Sequence, residues 1–130
     1  MNRGSYVALA QERIQFISEN KQSKCYASVC FVCHSCARLC LLALVESYGN
    51  YPPWDSNLDA VNYYCVEYIP GYTGFTAEQL VGLDDDCDDK TRGGFFEESD
   101  MLEVINDLNT LIKEINNLLQ KWGHTQLKEI

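Results

Sequence analysis

The chain has 130 residues, of which 46% are hydrophobic, 22% charged and 12% aromatic, with only 3 prolines and 8 glycines. This composition is that of one globular domain spanning residues 1–130, and it excludes disordered, collagen-like and low-complexity chains. The net charge of −9 opposes binding to the phosphate backbone of DNA, although a small site for a nucleotide or one RNA end stays open.

The 7 cysteines are an odd number, and five of them lie between Cys25 and Cys40, which is not typical of a secreted disulfide scaffold. The first residues are too polar for a secretory signal because Glu12 and Arg13 interrupt the apolar run. Residues 25–45 have the length of a membrane span, yet an arginine near the centre costs roughly 2.5 to 3.5 kcal/mol. We therefore predict a cytoplasmic protein without a membrane span.

Helical periodicity begins near the start of the chain. An amphipathic helix is predicted at about residues 5–20, and a second helix runs from an N-cap at Ser23 to Tyr48, with Gly49 as its stop. The second helix is apolar over much of its surface. We therefore expect it to be the most buried helix of the protein.

A loop with paired prolines, NYPPWDSN, separates the second helix from the third. Asp55 or Ser56 is the expected N-cap of a third helix at about residues 58–69, and Pro70 and Gly71 end it. The third helix is therefore shorter than the second.

Two more helices complete the chain. Residues 76–79, Thr-Ala-Glu-Gln, have the form of a capping box and predict a short helix. The last helix is capped near Ser99 or Asp100, ends at Gly123, and leaves His124 in a frayed tail. It carries a continuous apolar stripe: Met101, Val104, Ile105, Leu108, Leu111, Ile112, Ile115, Leu118, Leu119 and Trp122.

The fold class that these elements predict is all-α: an up-and-down antiparallel bundle of four long helices plus one short helix. No segment shows the period-two alternation of a half-buried strand. The second and last helices carry more apolar surface than one four-helix core needs, so a homodimer is expected.

The second helix carries four cysteines that are candidate metal ligands: Cys30, Cys33, Cys36 and Cys40. At helical spacing they rise roughly 15 Å along the axis. A zinc ion needs four ligand atoms within about 2.3 Å, so a straight helix offers only two neighbouring thiols. Completing a site would require Cys65, Cys87 or a second subunit. We therefore predict no metal and interpret the thiols as small packing groups.

Two other motifs give even weaker evidence for a bound haem or metal ion. Residues 30–34 spell CxxCH, the attachment motif of c-type haem, but that chemistry occurs in exported proteins. The acidic run at residues 84–89 lacks the glycine and glutamate of a calcium loop. It is either a solvated charged face or a loose site for a divalent ion beside nucleotide phosphates. No cofactor is predicted.

Catalytic motifs are equally scarce. The two histidines are His34 and His124, and neither belongs to a Ser-His-Asp order or follows a glycine-rich phosphate loop. Arg38 lies one turn after His34, so the two side chains fall on one helix face. We predict no catalytic residues.

The second helix, CFVCHSCARLCLLALVESYG, resembles the hallmark helix of the HEPN domain (higher eukaryotes and prokaryotes nucleotide-binding). Its opening, its small residues and its apolar end match that helix, and Cys33, Cys36 and Cys40 stand where the family has alanine. Matching residues are Cys30, Phe31, Ala37, Leu41, Ala43, Leu44, Val45 and Gly49.

Two further segments extend this resemblance over about residues 5–122. Leu58 falls in the family's HDL segment, Thr91 and Arg92 fall in its TRYP loop, and Asp100 opens the last helix. The resemblance implies a helical bundle, often dimeric, that binds nucleotides, partners a minimal nucleotidyltransferase in toxin-antitoxin pairs, or cleaves RNA without a metal. The ribonuclease branch needs an Arg followed after about four to six residues by a His, and that pair is absent here.

The leading hypothesis is therefore a non-catalytic, HEPN-like module that binds a nucleotide or a protein partner. Arg92 with Lys90 and Thr91 is the first candidate phosphate site, because arginine binds phosphate through two N–H groups and a helix N-terminus follows; pairing of Arg92 with nearby carboxylates is the plainer alternative. Arg38 with His34 is the second candidate. The alternatives from other classes are a ribonuclease toxin that uses His34 and Arg38, and a purely structural subunit.

Overall fold

The computed structural model describes residues 5–51, 56–80 and 97–130, and all regular structure in these ranges is α-helical. This confirms the all-α class. The helices are α1 (Ser5–Asn20), α2 (Tyr26–Tyr48), α3 (Leu58–Tyr68), α4 (described at 75–80) and α5 (Glu98–Lys121).

Helix α2 lies at the centre of the fold and packs against α1, α3 and α5. The prediction that it is the most buried helix is confirmed, because buried side chains occur all around it in its second half, from Leu39 to Val45. Each large apolar side chain buried in this way contributes roughly 1.5 to 3 kcal/mol. The core of the protein is therefore built around α2.

Among the described residues, α2 is also the helix that is long and apolar enough to cross a membrane by length and composition. Its mean hydropathy over the most apolar window is 1.9, and 67% of that window is buried inside the protein. The partners that bury it are the other helices of the same chain, as in a core helix.

The hydrogen bonds between helices define their directions. The Tyr6 backbone N–H donates to Glu46 Oε1 (3.4 Å), and Cys36 Sγ donates to the Ala10 carbonyl (3.9 Å). Because the start of α1 lies beside the end of α2, these two helices are antiparallel. Helix α5 has its C-terminal end beside that of α2, since Trp122 and Tyr48 have ring centroids 5.1 Å apart.

Helix α3 meets α2 near the middle. Arg38 Nε donates to the Ser56 carbonyl (2.6 Å), and Cys65 Sγ donates to the Leu41 carbonyl (3.9 Å). Ser56 and Cys65, which are nine positions apart, therefore both contact α2 within about one turn, at Arg38 and Leu41.

The observed N-caps of α2 and α3 differ from the predicted ones. Helix α2 is capped by Cys25 without a side-chain bond. Ser23 lies two residues earlier, where its hydroxyl donates to the Asn20 carbonyl (2.7 Å). Helix α3 is capped by Asn57, whose Oδ1 accepts from the Ala60 N–H (2.9 Å). The cap of α2 therefore lies two residues after the predicted Ser23, and the cap of α3 lies one residue after Ser56.

The later helices also begin earlier than predicted. Helix α4 starts before the expected Thr76 cap, with the Gly74 carbonyl accepting from the Glu78 N–H (3.0 Å). Helix α5 is capped by Glu97, and Asp100 completes a capping box from the third helical position. The predicted stops are confirmed, because Gly49 and Gly123 have φ of 98° and 75°.

The segment after α5 is not frayed, which corrects the prediction for the region of His124. Leu127 is buried, and its backbone bonds to a side chain of α5. The residues that contact this segment are not its neighbours in sequence, so the local sequence pattern does not predict these contacts.

Candidate functional site

The cysteine-rich face of α2 is a packed interior surface. Cys36 Sγ lies 3.9 Å from Cys40 Sγ and donates to a carbonyl of α1. Five thiol-bearing residues are completely buried: Cys30, Cys33, Cys36, Cys40 and Cys65. In the described ranges, no three His, Cys, Asp or Glu side chains lie together as metal ligands would.

Two of the buried thiols are held in their protonated form. The hydrogen bond with Cys36 and burial raise the pKa of Cys40 well above its usual value, and burial raises the pKa of Cys65 to about 12. Because the thiolate is the nucleophile and the metal ligand, these groups are chemically inert in the folded protein. Their geometry supports the interpretation that they fill space.

The second candidate pair, His34 and Arg38, lies on the side of α2 that leads to α3. Both residues are half-buried. Arg38 Nε donates to the Ser56 carbonyl at 2.6 Å, so this side chain ties the start of α3 to the middle of α2. This contact gives Arg38 a structural role.

The first candidate site, Arg92 with Lys90 and Thr91, lies outside the described residues. The helix that follows it is described from its first turn. There the Glu97 N–H donates to Asp100 Oδ2 (3.0 Å), and the Glu97 side chain accepts from the backbone N–H of Asp100. Carboxylates of the chain itself therefore bind the N-terminus of α5.

A groove of about 460 Å³ runs between α1 and α2. Phe16 and Phe31 contribute its apolar walls and remain 43% and 42% exposed, while Glu12 and Arg13 supply charge at its edge. The groove could not be predicted from the apolar periodicity of the sequence because its phenylalanines fall outside the buried stripes. An apolar residue on the polar face of a predicted helix is the signal that would have found it.

A second exposed surface lies on α3 and the start of α4. It consists of Tyr63, Val66 and Phe75, which are 68%, 47% and 73% exposed, and we call it the aromatic face. Gly74, just before Phe75, approaches Val66 so closely that an added Cβ would lie 2.6 Å from Val66 Cγ2. The two elements therefore meet at this face.

A buried polar network holds the connection between α3 and α4. Tyr72 Oη donates to Asn62 Oδ1 (2.6 Å), and Asn62 Nδ2 donates to the Gly74 carbonyl (3.4 Å). Burial is the main cause that raises the pKa of Tyr72, so its hydroxyl keeps the proton that it donates. The Thr73 N–H and hydroxyl both donate to Glu114 Oε1 on α5 (3.1 and 2.9 Å). The aromatic face therefore rests on a connection fixed from two sides.

No protein-family profile, curated protein or solved structure matches the chain. The resemblance of α2 to the HEPN hallmark helix accordingly stays a prediction.

Proposed function

We propose that this protein is a cytoplasmic, non-catalytic helical module of HEPN-like arrangement that binds a protein partner, such as a minimal nucleotidyltransferase, through the aromatic face. The observation that carries the proposal is the exposure of Tyr63, Val66 and Phe75, together with the close approach of Gly74, the residue before Phe75, to Val66. Tyrosine and other large aromatic side chains supply much of the binding energy in protein interfaces.

The arrangement of the helices supports this proposal in part. Antiparallel α1 and α2, with α5 beside α2, fit an up-and-down bundle. Helix α3 contacts α2 near Arg38 and Leu41. Its Tyr63 and Val66 side chains remain exposed and are free to contact a partner.

A nucleotidyltransferase encoded beside the gene of this chain is the partner with which to test the proposal. We expect the double variant Tyr63→Ser, Phe75→Ser to bind it at least about tenfold more weakly by titration calorimetry, as for loss of an interface hot spot. Leu102→Ser is the matched control because Leu102 is exposed on α5. Equal affinity of the double variant and the wild type would remove the aromatic face from the proposal.

Nucleotide binding at Arg92, Lys90 and Thr91 is the weaker form of the proposal. The carboxylates that already bind the N-terminus of α5 compete with a phosphate for the same backbone N–H groups. Calorimetric titration of wild type and Arg92→Ala with ATP and GTP, with and without magnesium, tests it. A binding signal that Arg92→Ala abolishes would restore the nucleotide site.

The ribonuclease alternative depends on His34 and Arg38. Incubation of the protein with total RNA tests it, and cleavage abolished by His34→Ala would overturn the non-catalytic proposal. A purely structural subunit, for which a neighbouring nucleotidyltransferase would be the active partner, is the third alternative. A nucleotidyltransferase gene beside the gene of this chain would favour the partnered proposals over a free-standing binder.

The proposal includes a homodimer, and we assign the groove between α1 and α2 as its interface. Phe16 and Phe31 line this groove and are 43% and 42% exposed. We expect light scattering to show a dimer for the wild type and a monomer for Phe16→Glu, Phe31→Glu. A dimer of unchanged mass in this variant would exclude the groove as the dimer interface.

A further inference from the structure

The segment that follows α5 lies in a cleft formed by α1 and α5. Residues 124–130 have no regular secondary structure. Leu127 is 3% exposed within the core, and Ile130 packs against the core from its edge. The segment is therefore an extended peptide bound to helices of its own chain.

Two asparagines of α5 hold the main chain of this segment. Asn116 Nδ2 donates to the Leu127 carbonyl (2.8 Å), and Asn116 Oδ1 accepts from the Leu127 N–H (2.7 Å). Asn109 makes the same pair of bonds with Ile130, at 3.0 and 2.8 Å. Each side-chain amide therefore satisfies both main-chain groups of one residue, as a neighbouring β-strand does.

The spacing of the two asparagines fits an extended peptide. Seven residues of α-helix rise about 10.5 Å, and three residues of extended chain span about 10 Å. Asn109 and Asn116 are seven residues apart, whereas Leu127 and Ile130 are three apart. Asn109 and Asn116, which we call the two clamps, are thus in register with two residues three positions apart in a peptide that runs antiparallel to α5.

The two clamps contact the main chain of the segment, whereas the apolar side chains of Leu127 and Ile130 make the site selective for a sequence. A third amide, Gln11 Oε1 on α1, accepts from the Lys128 N–H (3.2 Å). Gln11 Nε2 is buried and has no hydrogen-bond acceptor within the described ranges. The contact between Lys113 and Glu129 is 3.5 Å long with both side chains at least half exposed, so it contributes little.

We propose that the cleft between α1 and α5 is a binding site for an extended peptide of a partner protein that carries two apolar residues three positions apart. Residues 124–130 occupy the site as an internal ligand, and Gly123, at φ 75°, is the hinge about which they leave. The buried N–H of Gln11 that this segment leaves unsatisfied is available to a carbonyl of the incoming peptide. This site is separate from the aromatic face and does not depend on it.

Native-state hydrogen exchange on the wild-type protein tests whether the segment opens by itself. We expect the amides of Leu127 and Ile130 to exchange together, at least about a hundredfold faster than the core amides of α2, because the segment opens without global unfolding. Exchange of both groups at the rate of the α2 core would overturn the proposal, since the segment would then be an integral part of the fold.

Binding in trans is tested with a fluorescent peptide of residues 124–130 and the full chain carrying Leu127→Gly and Ile130→Gly. We expect this peptide to bind the double variant at least about tenfold more tightly than the wild type, whose own segment competes at high effective concentration. A peptide with Lys128 and Glu129 exchanged should bind within about threefold, because the clamps contact main chain.

Adding Asn116→Ala to the double variant separates specific binding from adhesion to an exposed apolar surface. We expect at least about a tenfold loss of peptide affinity, because one clamp is removed. Circular dichroism of each variant checks that the helices remain. No binding to the double variant, or binding that is independent of Asn116, would overturn the proposal; if the double variant does not fold, the exchange rates of the wild type decide.

Discussion

The aromatic face depends most directly on the backbone conformation of one residue, Gly74. Its φ is +84°, and an added Cβ would meet Val66 Cγ2 at 2.6 Å and the Asn62 side chain at 3.4 Å. Glycine is the residue that adopts this conformation without steric cost. The close approach of Gly74 to Val66 follows from this freedom.

We predict that Gly74→Ala lowers the free energy of unfolding by about 2 kcal/mol, because it adds a clash to an unfavourable backbone conformation. Gly49→Ala is the matched control, since Gly49 has φ +98° with open space at the Cβ position, and we expect it to cost about 1 kcal/mol. Urea denaturation measures both. Equal losses in the two variants would show that the contact with Val66 does not constrain the site.

The buried thiol of Cys65 makes stability depend on alkaline pH. Burial raises its pKa in the folded protein from 9.0 to about 12. A raised pKa means that the folded state retains the proton longer than the unfolded state. The contribution of the neutral Cys65 thiol to the free energy of unfolding is therefore fully present below pH 9. This contribution is lost as the pH rises towards 12.

We predict that the unfolding free energy at pH 10.5 is lower than at pH 8, with about 2 kcal/mol of the loss attributable to Cys65. Urea denaturation at the two pH values measures the loss. Cys65→Ala should lose correspondingly less, because it has no thiol to ionise. The same pH dependence in both proteins would contradict the assignment to Cys65.

At the scale of elements, helices with long apolar stripes could be predicted well from the sequence. The ranges of α1 and α2 agree closely with the predicted ones, and Gly49 and Gly123 end their helices as expected. The N-caps were harder because several adjacent polar residues compete for each position, as Asp55, Ser56 and Asn57 do before α3. Tertiary contacts decide among them.

The aromatic face and the cleft that holds residues 124–130 could not be predicted from the periodicity of apolar residues. Residues 124–130 are held by Gln11, Asn109 and Asn116, which are distant in sequence, so the segment carries no repeating pattern of its own. The aromatic face requires the turn at Gly74 to bring Phe75 near α3. The only local signals were Leu127 and Ile130 at a spacing of three, and exposed aromatic positions on short helices.

The capping box of α5 gives a prediction at this scale. The Asp100 side chain accepts from the Glu97 N–H at 3.0 Å, so Asp100→Ala should lower the free energy of unfolding by about 1 kcal/mol. Glu103→Ala, on the exposed side of the same helix, is the control and should change it by less than about 0.5 kcal/mol. Thermal unfolding monitored by circular dichroism compares the two. A loss in the control as large as in Asp100→Ala would contradict the capping role.

At the scale of the whole molecule, one helix organises the others. Helix α2 contacts α1, α3 and α5, and its cysteines provide small, apolar contact surfaces to these neighbours. The surfaces to which we assign binding are the aromatic face on α3 and α4, the groove between α1 and α2, and the cleft along α5 that residues 124–130 fill. A buried centre and peripheral binding surfaces are what a binding module requires.

Alkylation of the native protein at pH 8, followed by mass spectrometry of its peptides, tests the central position of α2 most directly. We predict rapid modification of Cys25, which is exposed. The buried thiols should react only after denaturant is added: Cys30, Cys33, Cys36, Cys40 and Cys65. Modification of any of these five at the rate of Cys25 without denaturant would contradict the account.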